Sequence, residues 1–385
     1  MDIQRVVATE TILRGGMVLT PEQGLRQADV VIDGDRIIEV VPRATYAGAR
    51  VLEVEHCLVL PGIVDVHGDA FERNIMPRPK TMFPLEIAML ESDRQLAANG
   101  ITTAYHGITV SWEPGLRSLD EAHRIIAAID SVERDLLVDN RIHIRWETFA
   151  IDEAPAVIEL LGRAKKPALA FNDHTSPSLT GGRMESKIRG SADRAMLDME
   201  SYRALLQERK DRIDEIPSAI NVMANIAREH NIPMLSHDDT TPEMRQEFRD
   251  LGVKISEFPM NWETAAEAST HADPLVFGAP NVVRGGSHNG AISAEEAVRR
   301  GQCTILATDY YYPAPIHAAF HLASKCVLSF EAAWNLVSSA PARAMHLNDR
   351  GSIEVGKRAD IIVVPKTSTR PIATFVGGRL VYQAT

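Results

Sequence analysis

Two side chains of metal-ligand type stand two residues apart at the end of a short apolar run, where residues 62–66 lead into His67, Gly68 and Asp69. In an extended strand residues i and i+2 share a face, so His67 and Asp69 would offer an imidazole nitrogen and a carboxylate oxygen to one point. Such a pair suits a divalent ion, zinc first, with manganese or iron as alternatives. By itself an HxD pair is weak, because a turn aspartate beside a core histidine reads the same way. The signal strengthens because ligand types recur after other apolar runs: Glu147 after 142–146, His174 after 168–173, His237 after 233–236 and Asp309 after 304–308. Together they could hold one or two ions, with Glu147 as a bridging carboxylate and an activated water between metals about 3.5 to 4 Å apart. Asp309 could ligate or take the water's proton. Glu147 could instead orient a ligand or pair with Arg145, and Asp238 and Asp239 read as loop or cap residues.

These residues need a scaffold that brings the ends of many strands to one place. Runs at 62–67, 101–105, 142–146, 168–171, 233–236, 254–258, 275–278 and 304–308 alternate with amphipathic helical stretches, the pattern of parallel strands joined by crossover helices. About eight strands make a closed TIM-type (β/α)8 barrel, whose strand ends converge on one mouth. A doubly wound sheet would announce a glycine-rich loop after its first strand, and none is present. Short β-like pieces at 12–19, 28–32 and 36–40 precede the barrel, and others at 360–364 and 374–382 follow it, so a small β-sandwich domain from both chain ends is expected. The expected division is 1–60 and 350–385 for that domain and 61–349 for the barrel. The segment 176–215 exceeds an ordinary βα connection and reads as a lid over the strand ends.

The formal net charge of −11 argues against nucleic-acid binding, though not against a local basic pocket. No apolar run of signal-peptide or membrane-spanning length is found, so a cytoplasmic protein without membrane attachment is expected, and a homo-oligomer stays open. Cys57, Cys303 and Cys326 lack paired spacing, and each reads as a small buried hydrophobe rather than a disulfide or thiolate ligand.

Residues 60–67, Asp309 and the closing run 351–360 (GSIEVGKRAD) together resemble the amidohydrolase superfamily. Residues 77–80, 100–103, 236–239, 257–259, 278–288 and 309–311 are similar, more narrowly, to the ribose 1-methylphosphonate 5-triphosphate diphosphatases of the carbon–phosphorus lyase pathway. That resemblance implies hydrolysis of a sugar triphosphate to the 5-phosphate and pyrophosphate. The residues agree with an anionic small-molecule substrate: Arg73, Arg78 and Lys80 follow the first ligand pair, and the 284–288 segment adds Arg284, His288 and glycine-flanked backbone N–H groups. The bland alternative for each is a solvated loop charge. Amide or cyclic-amide hydrolysis is the rival chemistry and a non-catalytic scaffold the rival class. With the strands counted in this way, Glu147 and His174 fall one strand earlier than the superfamily scheme implies.

Overall fold

The computed structural model describes residues 10–78, 80–179, 185–286 and 292–384. Five strands open the chain: β1 Glu10–Thr20, β2 Gly24–Asp33, β3 Arg36–Val41, β4 Arg50–Glu53 and β5 Cys57–Pro61. Eight follow in the middle: β6 Ile63–Gly68, β7 Ile101–Val110, β8 Asp139–Glu147, β9 Ala168–Asn172, β10 Met234–His237, β11 Ile255–Glu257, β12 Leu275–Gly278 and β13 Ile305–Ala307. Three close it: β14 Ile361–Pro365, β15 Ala373–Val376 and β16 Arg379–Gln383.

Strands β6 to β13 pair in sequence order, every neighbour parallel. The ring closes through a parallel bridge between Gly68 and Asp309, flanked by Asp309 N–H to His67 O and Asp69 N–H to Asp309 O, both 2.9 Å. This is the TIM-type barrel expected from the alternation, and among the described residues only the two expected barrel strands, β6 and β7, precede β8. Glu147 on the third barrel strand and His174 after the fourth are therefore real placements. Gly68 sits at the closing seam, where a Cβ would lie 2.7 Å from Thr308 Oγ1 and 2.8 Å from Asp65 Oδ2. The residue between His67 and Asp69 must therefore be glycine.

Below the mouth the bore is filled by Val66, Tyr105, Leu235, Val276, Ile305 and Met345. The outer faces of β7, β8 and β9 pack Ile108, Ile144, Trp146 and Phe171 against the surrounding helices. Burial on both faces is what makes these strands read as near-continuous apolar runs.

The two chain ends share one eight-stranded sheet, in which β5 joins β1 in parallel and β14 antiparallel. Its packing face combines Leu13, Val30, Ile32 and Val59 with Ile361, Val363 and Phe375. Gly15 and Gly16 mark a bulge in β1 rather than a break. The β2–β3 and β15–β16 turns meet so closely that a Cβ on Gly378, at φ +72°, would lie 1.9 Å from the Gly34 carbonyl oxygen.

The long connection after β9 carries helices Glu185–Arg194 and Met199–Lys210, docked on the β7 end: Arg194 donates to Glu113 Oε1 at 2.8 Å and Tyr202 OH to Glu113 Oε2 at 3.1 Å. No helix among the described residues is long and apolar enough to cross a membrane. Cys57 and Cys303 are buried as expected, but Cys326 is exposed in a helix-ending turn at φ +54°, which corrects its reading as a core residue.

Candidate metal centre

Strand β8 points His143, Arg145 and Glu147 into the bore at successive heights, a period-two ladder whose outward partners are Ile144 and Trp146. In neighbouring strands His237 and Glu257 are register partners and so face the same way. The fully buried Glu257 carboxylate divides between two rings: Oε1 lies 2.8 Å from His67 Nδ1 and Oε2 lies 2.7 Å from His237 Nδ1. In the neutral ring those contacts suit a proton on Nδ1, the tautomer that turns the Nε2 lone pair toward an ion. The rings stack at 5.5 Å between centroids with 15° between planes. Burial would raise the Glu257 carboxyl, but the neighbouring His67 imidazole and the hydrogen bonds of His237 and His67 outweigh it and hold it well below the ordinary carboxylate range. His237 is lowered by burial, which its neighbour Asp238 only partly offsets.

The outer face of the same strand pair is held by Asp239, whose Oδ2 accepts Ser236 Oγ–H at 2.6 Å and Ser256 Oγ–H at 2.9 Å. Fully buried Arg245 donates to Ser236 Oγ at 2.6 Å. Asp239 thus fixes β10 against β11 from outside while Glu257 joins His67 to His237 from inside.

Among the described residues three groups place ligand atoms within 4.8 Å of one another: His67, His237 and Glu257; His67, Asp69 and Asp309; His174, His237 and Asp238. Asp238, Phe258 and Asp309 follow barrel strands at φ +58°, +57° and +53°, a left-handed conformation that costs energy in residues other than glycine and concentrates at functional sites. Burial first, and Asp69 second, raise the Asp309 carboxyl to about 7. His143, directly below, has no exposed surface and neither ring nitrogen finds a hydrogen-bond partner among the described residues; burial lowers it to about 3.

Glu147 reaches His174 and belongs to none of the three groups. Arg145 lies between the two outer sets, with Nη2 3.2 Å from His237 Nε2 and Nη1 3.6 Å from Asp69 Oδ2. With the Asn172 amide turned so that its oxygen faces the guanidinium, that oxygen accepts from Nη2 and Nε, each at 3.2 Å.

A cavity of about 260 Å³ opens above these residues, lined among others by His67, Asp69, Arg145, His237, Asp309 and Tyr310. Tyr310 gathers two of the cations expected to hold an anion: Arg284 Nη1 donates to its hydroxyl at 3.1 Å, and the Arg73 guanidinium lies 5.9 Å from its ring centroid. Arg78 and Lys80 are exposed on the loop after β6 and do not line the cavity. His288 lies outside the described residues. The sequence reading passed over Glu257, His143 and Asp238 as site residues and saw Arg145 only as a partner for Glu147. The signal was present in β8, where Arg141, His143, Arg145 and Glu147 alternate strictly with apolar residues.

Residues 93–382 match the Amidohydrolase family profile. The Escherichia coli protein named alpha-D-ribose 1-methylphosphonate 5-triphosphate diphosphatase is 32% identical over 317 residues, covering 79% of this chain and 82% of that protein. Among solved structures, N-isopropylammelide isopropylaminohydrolase from Burkholderia multivorans superposes with a TM-score of 0.65 at 17% identity, covering 97% of this chain and 98% of that chain. The β-aspartyl dipeptidase from Fervidobacterium islandicum superposes at 0.62 with 15% identity, covering 97% of each. At those identities the structures establish a shared fold, and nothing about substrate.

Proposed function

The chain belongs to the amidohydrolase family, and from that premise we propose that it is a metal-dependent diphosphatase, hydrolysing a ribose 1-alkylphosphonate 5-triphosphate to the 5-phosphate and pyrophosphate. The observation that carries the reading is the gathering of Arg284 and Arg73 on Tyr310 at the rim of the cavity lined by His67, Asp69 and Asp309. A neutral amide has no use for two guanidinium groups gathered at the cavity rim, whereas phosphate oxygens do. The similarity to the Escherichia coli protein over most of both chains points the same way.

The donor set fits a divalent ion. Imidazole nitrogen and carboxylate oxygen are the ligands zinc, manganese and iron accept, and the Glu257 contact presents His67 Nε2 with its lone pair free. His67, Asp69 and Asp309 would hold such an ion, and His174, His237 and Asp238 form the neighbouring set. When bound, the ion supplies charge to a phosphoryl oxygen and lowers the pKa of a water.

The chain's own residues do the rest. Asp309 takes the water's proton as the water oxygen bonds to the first phosphorus. The anhydride bond to the second phosphate breaks, and pyrophosphate leaves with the bonding pair on its oxygen. Arg284 and Arg73 face the charge that grows on the leaving group. Glu147 orients His174, and the fixed backbone at Asp238 and Asp309 keeps the carboxylates aimed without reorganisation.

The deciding experiment is an assay of metal-loaded protein on ribose 5-triphosphate derivatives and on a panel of N-acyl amino acids, with pyrophosphate and free amine detected separately. Pyrophosphate release is expected. Amine release without it would replace the proposal by amide hydrolysis, and neither product would favour a non-catalytic scaffold.

A further inference from the structure

We infer that the Arg145 guanidinium is itself part of the reacting centre, supplying the second positive charge against which a phosphoryl group is held, so that the site takes a single divalent ion in the His67, Asp69 and Asp309 set. The inference rests on the diphosphatase reading for its substrate and on geometry for the rest.

The two outer sets of ligand-type residues could each accept an ion, and Arg145 stands between them. Its Nη2 points at His237 Nε2 from 3.2 Å, the lone pair that an ion in the His174, His237 and Asp238 set would need. Because Glu257 takes the opposite side of the ring at Nδ1, His237 cannot turn to offer another nitrogen without breaking that contact. The guanidinium is not free to withdraw either. Asn172 accepts from Nη2 and Nε behind it, and the residue is 4% exposed. The guanidinium is a cation, so a second divalent ion placed there would face a like charge at contact distance in a poorly screened site.

The same geometry leaves a donor to spare. Buried Nη1 makes no hydrogen bond among the described residues, and its nearest carboxylate oxygen is Asp69 Oδ2 at 3.6 Å. It lines the cavity beside Asp69 and Asp309. A buried, charged N–H with no hydrogen bond is costly unless something binds it. A phosphoryl oxygen seated between the ion's carboxylates and Arg145 would accept that bond. The fixed cation would then stabilise charge developing on the phosphorus oxygens with no reorganisation. Arg284 and Arg73, on the rim, would hold the distal phosphates instead.

The test combines metal content with ligand binding, so that it does not depend on turnover alone. Saturated wild-type protein should carry about one equivalent of zinc or manganese by elemental analysis and bind inorganic tripolyphosphate by calorimetry. Arg145→Ala should keep that equivalent, weaken tripolyphosphate binding at least tenfold and slow pyrophosphate release on the order of a hundredfold. Millimolar guanidine should restore part of the lost rate, which a purely structural role would not allow. Should Arg145→Ala not fold, Arg145→Lys keeps the charge without the fork, and a rate loss above tenfold at unchanged metal content is expected. Two tight equivalents in the wild type, or a variant within about threefold of wild type in tripolyphosphate binding, would overturn the inference. Absence of pyrophosphate release by wild-type protein would instead remove the diphosphatase reading, while the stoichiometry would still decide the role of Arg145.

Discussion

Glu147 grips His174 by two contacts: Oε1 lies 2.5 Å from the ring Nδ1, and Oε2 accepts the backbone N–H at 3.0 Å. Burial would raise this carboxyl, yet the His174 charge and hydrogen bonds outweigh it and bring it to about 2. With both oxygens engaged, the geometry favours orienting His174 over bridging two ions. Glu147→Gln should therefore leave metal content unchanged and lower turnover roughly ten- to a hundredfold, as loss of an outer carboxylate partner does. Loss of a metal equivalent in that variant would restore the bridging role.

Glu257 is a single acceptor for two rings, so its removal disorders both at once. Glu257→Ala should weaken zinc binding by roughly ten- to a hundredfold, measured by competition with a chelator. Glu257→Gln keeps one acceptor oxygen and should fall between that variant and the wild type. Wild-type affinity in the alanine variant would mean that the pairing with His67 and His237 does not support the metal set.

The barrel was legible because every one of its strands is buried on its outer face by helices and so produces a short apolar run. His67, Asp69 and Asp309 were legible because ligand types at the ends of such runs share one mouth. Glu257 was not, because it falls inside the expected run 254–258 rather than after it, where ligand types were sought, and its inward direction is set by its register with His237. Arg145 was undervalued because sequence adjacency suggests a pair with Glu147, while strand height separates them: Glu147 goes to His174 and Arg145 to His237. Arg78 and Lys80 show how little chain distance fixes placement. Proximity to His67 along the chain says nothing about direction, and the loop carries both side chains into solvent.

At the opposite end of the barrel, Arg350 ties the closing segment to the strands. Its Nη1 donates to Asp139 Oδ2 at 2.7 Å and to Thr103 Oγ1 at 2.8 Å, and Nε donates to Asp349 Oδ1 at 2.9 Å. Arg350→Met removes one of the three cations around the partly buried Asp139 carboxylate, leaving Lys165 and Arg141, and the loss of its charge-assisted hydrogen bond should cost about 1.5 to 3 kcal/mol of stability at neutral pH, read by denaturant unfolding. Metal content and turnover per folded molecule should not change. Burial opposes ionisation of Asp139, but Lys165, Arg141 and Arg350 hold its pKa far below the ordinary value. A depressed folded-state pKa contributes stability that is full above the unfolded value of about 3.9 and drains as pH falls through the folded one. The gap between wild type and variant should accordingly be constant from pH 7 to about 5 and shrink below about 4. A gap that widened in acid would assign the loss to packing or to another group.

Arg284 provides the sharpest separation of phosphate recognition from fold. It ends the short helix Ala279–Arg284 that follows β12, is exposed, and makes its described hydrogen bond to the Tyr310 hydroxyl at the cavity rim. Truncating an exposed side chain at a helix end should cost little stability, so Arg284→Ala reports on the ligand. Loss of one charge-assisted hydrogen bond is worth on the order of 1.5 to 3 kcal/mol, which lowers the triphosphate's kcat/KM by roughly ten- to a hundredfold. Metal occupancy should stay at the wild-type level, because Arg284 touches none of the ligand-type residues. Tyr310→Phe removes the hydroxyl that steers Arg284 but not the ring beside Arg73, and a smaller loss in the same direction is expected. The informative comparison sets each variant's rate on the triphosphate against its rate on any neutral amide the wild type accepts. A loss confined to the triphosphate identifies Arg284 as an anion contact. Equal losses on both substrates would make it a support for the barrel mouth, and an unchanged triphosphate rate would place it outside the site.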